Sequence, residues 1–490
     1  MSYIKKISNI NNGAFGPAVV TQPYPVVAGS SYYNFIPSNF RTFLSGAGTA
    51  TTENQIMKVT SGTSIGDYGV IRSFRSVNYQ TGQGARFRIA ARFPNPVALT
   101  WAGAGAFNIG DELSFGYSGE DFGIWHRYGG LAEVQDLTIT TPAGGSETAT
   151  VTINSVVYNV PLTSGTSQHN AYEIETYLNN NGSGFEAEQI GAKVRIDFTS
   201  DGDKSGTFSF SSSSAVASFS EVTTGITKTS DFYPMSTSVT SVIGANLKGY
   251  WNGVIPSGFD PTKGNTYEIT YQNGYGAIHF YIEDPVTGNY VECHTIRWSN
   301  NNTIPNLLNP SLRIGIYCYS IGATTETEVE SPYVAGFVDG VKANTRNPRA
   351  FDNTRSVATT LTNLLTIKNS RTYNGYSNQV EIEPISLTIA SDSTKNAVIQ
   401  VRANPTVTGE TNFNPAGTNI VAQYDISANT VTEDGRLLVS FPLSKGQSRE
   451  INLRDYQIRV PPSLSLVICG KMTSGSAADL TASLTWYEDI

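Results

Sequence analysis

The sequence predicts an all-β fold: an interrupted jelly-roll sandwich with a small α+β insert, followed by a C-terminal β jelly roll. The first observation is compositional, because 46 glycines and 22 prolines in 490 residues, with few helical patterns, are typical of many short strands joined by turns. The second is a period of two in residues 86–93, which predicts a half-buried strand. Its apolar face consists of Phe87, Ile89, Ala91 and Phe93, and its other face of Arg86, Arg88, Ala90 and Arg92.

The order of these patterns along the chain predicts an interrupted domain organisation. Residues 1–40 are rich in Pro, Gly, Asn and Ser and are expected to form an extended N-terminal arm, either an attachment arm or a disordered tail. Residues 41–130 and 233–343 are interpreted as two halves of one β-sandwich, and residues 131–232 as an inserted α+β module. Residues 350–490 are predicted to form the C-terminal jelly roll.

The insert contains the one convincing helix pattern, over residues 167–180. Ser167 or Thr166 can cap its N-terminus, and Asn154-Ser155 is expected in the turn of a preceding hairpin. The apolar stripe at i, i+3 and i+7 consists of Ala171, Ile174 and Leu178. A helix beside hairpins therefore predicts an α+β module.

Charge and hydropathy exclude two classes of partner. The net charge of -8 and the absence of a long Lys/Arg run predict that the protein has no nucleic-acid partner. No segment approaches the roughly 20 apolar residues of a membrane span, so no membrane insertion is expected. Residues 1–13 lack an apolar run of signal-peptide length. A virion protein, assembled in the cytoplasm and released by lysis, fits an adhesive-looking chain without an export signal.

The sequence has three cysteines: Cys293, Cys318 and Cys469. This number is too small for a disulfide framework, and it is odd, whereas a framework pairs an even number. Cys293 and Cys318 lie among apolar strand residues, where a free thiol behaves as a small hydrophobe. A single Cys293–Cys318 bridge within the sandwich remains the alternative.

A polar row across three strands is predicted from turn geometry. The Asn-Gly pair at residues 273–274 favours a two-residue hairpin turn, which places Glu268 opposite His279. A symmetric second turn at residues 284–289 then places His279 opposite His294. Such a row can hold zinc or act as an acid/base pair, but a solvated polar stripe is the expected role and no metal site is predicted. A glycan-contacting or pH-responsive surface is the intermediate interpretation.

No catalytic residues or cofactors are predicted. Sandwich glycosidases need carboxylates at a fixed separation, and the sequence offers only Asp111-Glu112 and Glu120-Asp121, in or near turns. A Gly-x-Ser-x-Gly elbow, a phosphate-binding loop and a dinucleotide fingerprint are all absent from the sequence. We therefore expect a protein that is not an enzyme.

Aromatic residues near the sandwich turns are the candidate ligand-binding residues. Tyrosine has an apolar body and a polar tip, which suits a wet surface that stacks on sugars. The candidates are Tyr117, Trp125, Tyr128, Tyr250, Trp251, Tyr275 and Tyr281. Ordinary core and rim aromatics of a sandwich are the alternative interpretation.

The segment Gly69 to Phe93, the segment Phe115 to Gly130 and the insert segments 151–162 and 169–174 resemble a recurring domain of tailed phages and large DNA viruses. The sandwich is similar to the concanavalin/laminin-G type of jelly roll. The resemblance spans roughly residues 60–345 and implies a virion surface component, such as a tail fibre, spike or capsid decoration.

The resemblance implies partners as well: other virion proteins, a host-surface glycan or receptor for host attachment, and a homo-oligomer, with a trimer favoured. Two alternatives remain open. One is a capsid shell or cement protein without a receptor role, and the other is a carbohydrate-active enzyme.

Overall fold

The computed structural model describes residues 24–31, 39–79, 83–239, 242–339, 347–409 and 411–488. The chain divides into two compact units. One unit comprises the residues up to Gly130 together with Thr227–Ala343, and the other comprises Leu131–Ile226 together with the residues from Asn344 onward. The insert therefore belongs to the same compact unit as the C-terminal residues, which the sequence patterns do not predict.

The first unit begins with nine strands. They are β1 (Tyr24–Ser30), β2 (Phe40–Ser45), β3 (Thr49–Glu53), β4 (Ile56–Thr60), β5 (Tyr68–Ser73), β6 (Ala85–Arg92), β7 (Thr100–Phe107), β8 (Glu112–Ser118) and β9 (Asp121–Tyr128). Most of the predicted arm, residues 1–23 and 32–38, lies outside the described residues. Residues 24–30 of that arm instead form β1, because their backbone pairs with a later strand of the sandwich.

The insert follows. Its elements are β10 (Ala132–Thr141), β11 (Glu147–Ile153), β12 (Val156–Leu162), α1 (Ser167–Asn181), β13 (Phe185–Ile190), β14 (Lys193–Asp201), β15 (Ser209–Ser211) and β16 (Val216–Thr223). They form a four-stranded sheet, β13-β14-β10-β16, and a three-stranded sheet, β12-β11-β15. The predicted stripe of Ala171, Ile174 and Leu178 is buried, which confirms the face of α1 that packs on the core.

The N-terminus of α1 is capped by Thr166, whose side chain accepts a hydrogen bond from the backbone N–H of His169 at 3.1 Å. The replacement Thr166→Ala leaves that donor without its partner, and we expect it to lower the free energy of unfolding of the second unit by about 1 kcal/mol. Urea denaturation followed by far-UV circular dichroism measures this loss. The control Thr166→Asn should keep the cap, and an equal loss in both variants would contradict its role.

The first unit resumes with seven strands. They are β17 (Thr229–Pro234), β18 (Asn246–Leu247), β19 (Asn265–Tyr271), β20 (Ile278–Glu283), β21 (Tyr290–Ile296), β22 (Arg313–Ser320) and β23 (Glu328–Val338). Together with β1–β9 they build two eight-stranded sheets. Sheet I has the order β21-β20-β19-β6-β23-β4-β3 with β1 also paired to β23, and sheet II has the order β18-β17-β9-β8-β7-β22-β5-β2.

Sheets I and II enclose one aromatic-rich core. The predicted apolar face of β6 is buried, with Phe87 and Ile89 fully inaccessible. Across the sandwich, Phe115 of sheet II packs on Tyr267 of sheet I with ring centroids 4.6 Å apart. Each such side chain contributes about 1.5–3 kcal/mol through burial, so this core is the main source of stability in the unit.

The C-terminal residues form the second β-rich part of the second unit. Its elements are β24 (Asn347–Val357), β25 (Thr362–Asn369), β26 (Thr372–Tyr373), β27 (Tyr376–Ser377), β28 (Ile382–Ser391), β29 (Ala397–Ala403), β30 (Val407–Thr408), β31 (Asn414–Pro415), β32 (Ala422–Asp425), β33 (Thr430–Val431), β34 (Arg436–Leu443), β35 (Ser448–Asn452), a 3-10 helix (Arg454–Tyr456), β36 (Ser465–Met472) and β37 (Ala478–Glu488). One sheet, β24-β37-β28-β35, faces a larger one built on β30-β33-β25-β36-β29-β34. Leu387, Leu484 and Trp486 lie in the core between them. The predicted all-β, jelly-roll class is confirmed.

Candidate functional site

The outward face of sheet I brings together charged and tyrosine side chains from neighbouring strands. Glu268 of β19 lies opposite Arg88 of β6 on one side and Tyr281 of β20 on the other. These positions face outward because their neighbours along each strand, such as Ile269 and Phe280, are buried in the core. Every second residue of each strand faces outward, and in β6 these outward residues are the mostly polar ones of the alternating sequence pattern.

Two arginines hold the carboxylate of Glu268. Nη1 of Arg86 donates to Oε1 of Glu268 at 2.9 Å, and Nε of Arg88 donates to Oε2. Nε of Arg86 also lies 3.4 Å from a carboxylate oxygen of Asp339. Glu268 is only 4% exposed and both of its carboxylate oxygens accept from arginines, so this ion pair is a structural part of the face.

Aromatic side chains surround Arg88 on the same face. Its guanidinium carbon lies 5.1 Å from the ring centroid of Tyr290 and 5.9 Å from that of Phe337. Tyr333, which is 38% exposed, lies on β23 opposite Ala90, two residues along β6 from Arg88. An arginine among partly exposed aromatic rings is the composition typical of protein interfaces.

The predicted row of Glu268, His279 and His294 is wrong. His279 lies opposite Thr270 on β19 and Thr295 on β21, so it is displaced by two residues from Glu268 and by one from His294. His279 faces outward, where its Nδ1 lies 3.0 Å from Oε2 of Glu292.

His294 is directed into the core instead. It is 2% exposed and packs on Tyr233, with ring centroids 4.7 Å apart. Burial lowers the pKa of His294 to about 4. The two histidines therefore occupy opposite faces of sheet I and cannot share a ligand.

The first cause of the displaced register is the loop after β19. Tyr271 pairs with Ile278, so residues 272–277 form a six-residue connection and not a two-residue turn. Asn306 holds this loop open: its Nδ2 donates to the carbonyls of Gln272 and Gly276, and its backbone N–H donates to Gly274.

The second cause is a β-bulge in β21. Glu283 pairs with Tyr290, as a symmetric turn at residues 284–289 requires, and Tyr281 lies opposite Glu292. Phe280 then lies opposite His294, so Cys293 is the extra residue. This shift of one residue turns His294 to the inner face.

The candidate aromatic residues are not brought together. Trp125 is inaccessible, Tyr117 is 4% exposed and Tyr128 is 9% exposed, so the prediction of an exposed stacking surface is wrong for these three. Trp251 is partly buried and donates its indole N–H to the carbonyl of Tyr233 at 2.8 Å.

Three of the candidates remain accessible. Tyr281 is partly exposed on the face of sheet I, and Tyr275 is half exposed in the loop after β19. Tyr250 is 39% exposed and lies outside the strands. The accessible rings are thus separate, and none forms a stacking platform with another of the predicted set.

A groove of about 450 Å³ lies at one end of the same face. Ala90 and Thr266, which are paired across β6 and β19, form its floor. Glu283 and Glu330 stand on its two sides, and Nη1 of Arg92 lies 3.0 Å from Oε2 of Glu330. The sequence does contain a signal for this groove, because Ala90 interrupts the run of arginines on the outward face of β6.

Two of the four carboxylates considered from the sequence, Asp111 and Glu112, have structural roles at sheet II. Glu112 accepts from Nη1 of Arg127 at 2.8 Å and from the hydroxyl of Tyr317 at 2.6 Å. Asp111 accepts from the backbone N–H groups of Leu308 and Asn309. Both carboxylates are buried and fully used as hydrogen-bond acceptors.

The described ranges contain neither a cluster of metal-ligating side chains nor a membrane-spanning helix. Among those residues, no group of three or more His, Cys, Asp and Glu side chains is placed to hold a metal ion. Within the same ranges, no helix has the length and apolar character needed to cross a membrane. Cys293, Cys318 and Cys469 are free and buried, so the alternative Cys293–Cys318 bridge is not formed.

Comparison with known proteins finds likeness in structure only. No protein-family model matches the chain, and no curated protein matches it. The cellulose-induced protein Cip1 is similar to it at 8% identity and a TM-score of 0.27, covering 63% of this chain and 96% of Cip1. Lectin II from Ulex europaeus is similar at 10% identity and a TM-score of 0.23, covering 64% of this chain and all of the lectin.

A triple jelly-roll structure from an archaeal virus is similar over 96% of this chain and 98% of its own, at 8% identity and a TM-score of 0.17. Values this low carry no information about what this chain binds. Its function is therefore inferred from its own residues.

Proposed function

We propose that the protein is a non-enzymatic virion surface component that attaches to a host-surface glycan through the groove on sheet I. The observation that carries this proposal is the groove itself, with a flat floor of small residues between two carboxylates and an arginine. Sugar hydroxyls donate to carboxylates and accept from guanidinium groups, so Glu283, Glu330 and Arg92 offer both kinds of partner. The volume of about 450 Å³ lies within the range of small-ligand sites.

The chemistry of the groove favours binding over hydrolysis. A glycosidase keeps one carboxyl group protonated as its general acid, which requires a desolvated, apolar surrounding. Glu283 is only partly buried, and Glu330 is paired with Arg92. The carbohydrate-active enzyme of the alternative interpretation would use these same two carboxylates, so it is tested with the same variants.

The location on a virion is supported by the resemblance of residues 60–345 to virion surface domains. In that setting the protein is a fibre, spike or decoration that assembles with other virion proteins, as a homo-oligomer and most simply a trimer. The ring-flanked Arg88 favours a second candidate function, a capsid shell or cement protein, because Tyr290, Tyr333 and Phe337 suit a protein contact.

A glycan array probed with the full chain tests the proposal, with the oligomeric mass measured by light scattering. The replacement Ala90→Arg fills the floor of the groove, and we expect it to abolish glycan binding. Ala28→Arg is the matched control, because Ala28 is exposed on the same face of sheet I, in β1, two strands away from β6.

Each outcome decides between the functions. Selective binding that is lost in Ala90→Arg and kept in Ala28→Arg supports attachment through the groove. A homogeneous oligomer that binds no glycan overturns the attachment role and favours the shell or cement protein. Shortening of a bound oligosaccharide, lost in Glu283→Gln, shows instead that the protein is an enzyme.

A further inference from the structure

The outward face of sheet II carries three arginines on adjacent strands. Arg41 of β2 and Arg72 of β5 are directly opposite each other in the antiparallel pair. Arg313 is on β22, where Gly315, two residues further on, lies opposite Arg72. Since residues two apart share a face, all three side chains emerge on the same side of the sheet. Like charges in directly opposite positions destabilise a sheet, so this arrangement requires a compensating feature.

Aromatic rings provide part of that compensation. The guanidinium carbon of Arg72 lies 5.0 Å from the ring centroid of Phe43 and 5.8 Å from that of Phe107. The guanidinium carbon of Arg41 lies 4.7 Å from the same Phe43 ring. A ring attracts the cation as a whole but accepts none of the in-plane N–H bonds in good geometry, so the hydrogen-bond donors of Arg72 still need acceptors.

Arg72 has no hydrogen bond or ion pair to any residue that the structure describes. Its side chain is only partly exposed, and burial together with the charges of Arg313 and Arg41 lowers its pKa well below the usual value. A guanidinium stays protonated in proteins, so Arg72 remains a cation that lacks a carboxylate. Such a group is stabilised by an anion from outside the chain.

The strand row of Arg72 continues through two glycines. Beyond Arg72, the next two positions across the sheet are Gly315 of β22 and Gly105 of β7, which carry no side chain. Three guanidinium groups on one face match the several acceptor oxygens of a tetrahedral oxyanion, with Nε of Arg313 already donating to the carbonyl of Phe74 at 3.1 Å. The net charge of -8 on the whole chain favours one such group over a long polyanion.

We propose that Arg41, Arg72 and Arg313 bind a single tetrahedral oxyanion, the sulfate or phosphate group of a small ligand. This site is on sheet II and is independent of the glycan groove on sheet I. Either proposal can therefore fail without the other.

Isothermal titration calorimetry on the full chain, at constant ionic strength, tests the site with inorganic sulfate and inorganic phosphate. Arg72→Gln removes the central cation, and we expect about 10- to 100-fold weaker binding of the preferred anion, the loss of one charged hydrogen bond. Arg297→Gln removes the same charge from an exposed position of the same unit and should leave binding unchanged. A sulfated monosaccharide and a sugar phosphate, used as competitors, identify which source the site prefers.

Arg41→Gln is the second variant, and it decides the matter where Arg72→Gln fails to fold. It should weaken binding by a similar factor while the far-UV circular dichroism spectrum stays that of the wild type. Absence of binding to the wild type by both anions overturns the proposal. Equal affinity of the wild type and the arginine variants overturns it as well.

Discussion

Acidification from pH 7 to pH 4 is expected to destabilise the first unit by several kcal/mol, because two of its histidines are buried as neutral rings. His126 is inaccessible, with Nε2 bonded to the carbonyl of Asn306 at 2.8 Å and no partner for Nδ1 among the described residues. His294 is 2% exposed, and neither of its ring nitrogens has a described partner. Burial lowers the pKa of each to about 4, against about 6.5 in the unfolded chain.

The direction of the effect follows from proton uptake. Between pH 6.5 and pH 4 the unfolded chain binds protons at these histidines and the folded chain does not, so stability is fully present above pH 6.5 and falls as the pH decreases. A depression of this size corresponds to about 3 kcal/mol for each histidine at pH 4. Urea titrations at pH 7 and pH 4, followed by tryptophan fluorescence, measure the loss, since four of the five tryptophans lie in this unit.

The replacement His294→Phe isolates one of the two contributions. A phenyl ring suits the contacts with Tyr233 and Phe280 and has no proton to gain. The variant should lose about 3 kcal/mol less than the wild type on acidification. An equal loss in both proteins would show that the acid sensitivity comes from other groups.

Much of the fold could be predicted from the periodicity of apolar residues in the sequence. The alternation in β6 and the i, i+3, i+7 stripe of α1 are physical consequences of strand and helix geometry, so they can be read from the sequence. The turn at Asn154-Ser155 is confirmed in the same way, because Ile153 pairs with Val156 and both turn residues have positive φ. Gly206 and Thr207 also form hydrogen bonds to these two turn residues, so the local signal and the surroundings of the turn agree.

The candidate site was predicted less well because distant residues decide it. The Asn-Gly pair at residues 273–274 carries the same local signal, yet Asn306 holds its loop in a wider shape through three hydrogen bonds. Trp125 is outward-facing on β9 but is covered by Phe232, with ring centroids 4.7 Å apart, and the whole insert separates the two in the sequence. Neither contact can be recognised from the local sequence pattern.

The insert and the C-terminal jelly roll are likewise brought together by residues that are distant in the sequence. The contacts between them include ion pairs. Glu188 of β13 is 1% exposed and Glu175 of α1 is largely buried, and both belong to the insert. Their cation is Lys368 of β25, whose Nζ lies 3.3 Å from Oε1 of Glu188 and 3.8 Å from Oε1 of Glu175. Burial and the charge of Glu188 raise the pKa of neighbouring Asp197 to about 7, so this side of the contact is rich in negative charge.

A second cation from the jelly roll reaches the same strands. Arg371 pairs with Glu186, and its Nε lies 3.8 Å from Oδ2 of Asp197. Glu186 and Asp197 are directly opposite each other on β13 and β14, an arrangement of like charges that destabilises an isolated sheet. The acidic residues of the insert therefore take counter-charges from the C-terminal residues in addition to Arg195 of the insert, which lies opposite Glu188.

From these ion pairs we expect Lys368→Met to lower the free energy of unfolding of the second unit by about 3–5 kcal/mol, because two buried carboxylates lose their cation. Hydrogen exchange followed by mass spectrometry measures the change locally. Exchange should increase in β13 and β14 of the insert and in β25 of the jelly roll together, since both sides contribute to the contact. Lys445→Met, at an exposed position of the same unit, is the control and should change little.

The double variant Lys368→Met with Glu188→Gln separates the charge effect from the loss of packing. Removing the carboxylate that Lys368 neutralises should restore a large part of the lost stability, because a neutral amide costs less to bury than an unpaired anion. Equal instability of the single and double variants would assign the loss to packing of the lysine stem. Faster exchange confined to β25 would show that the insert is stable without its counter-charge from the jelly roll.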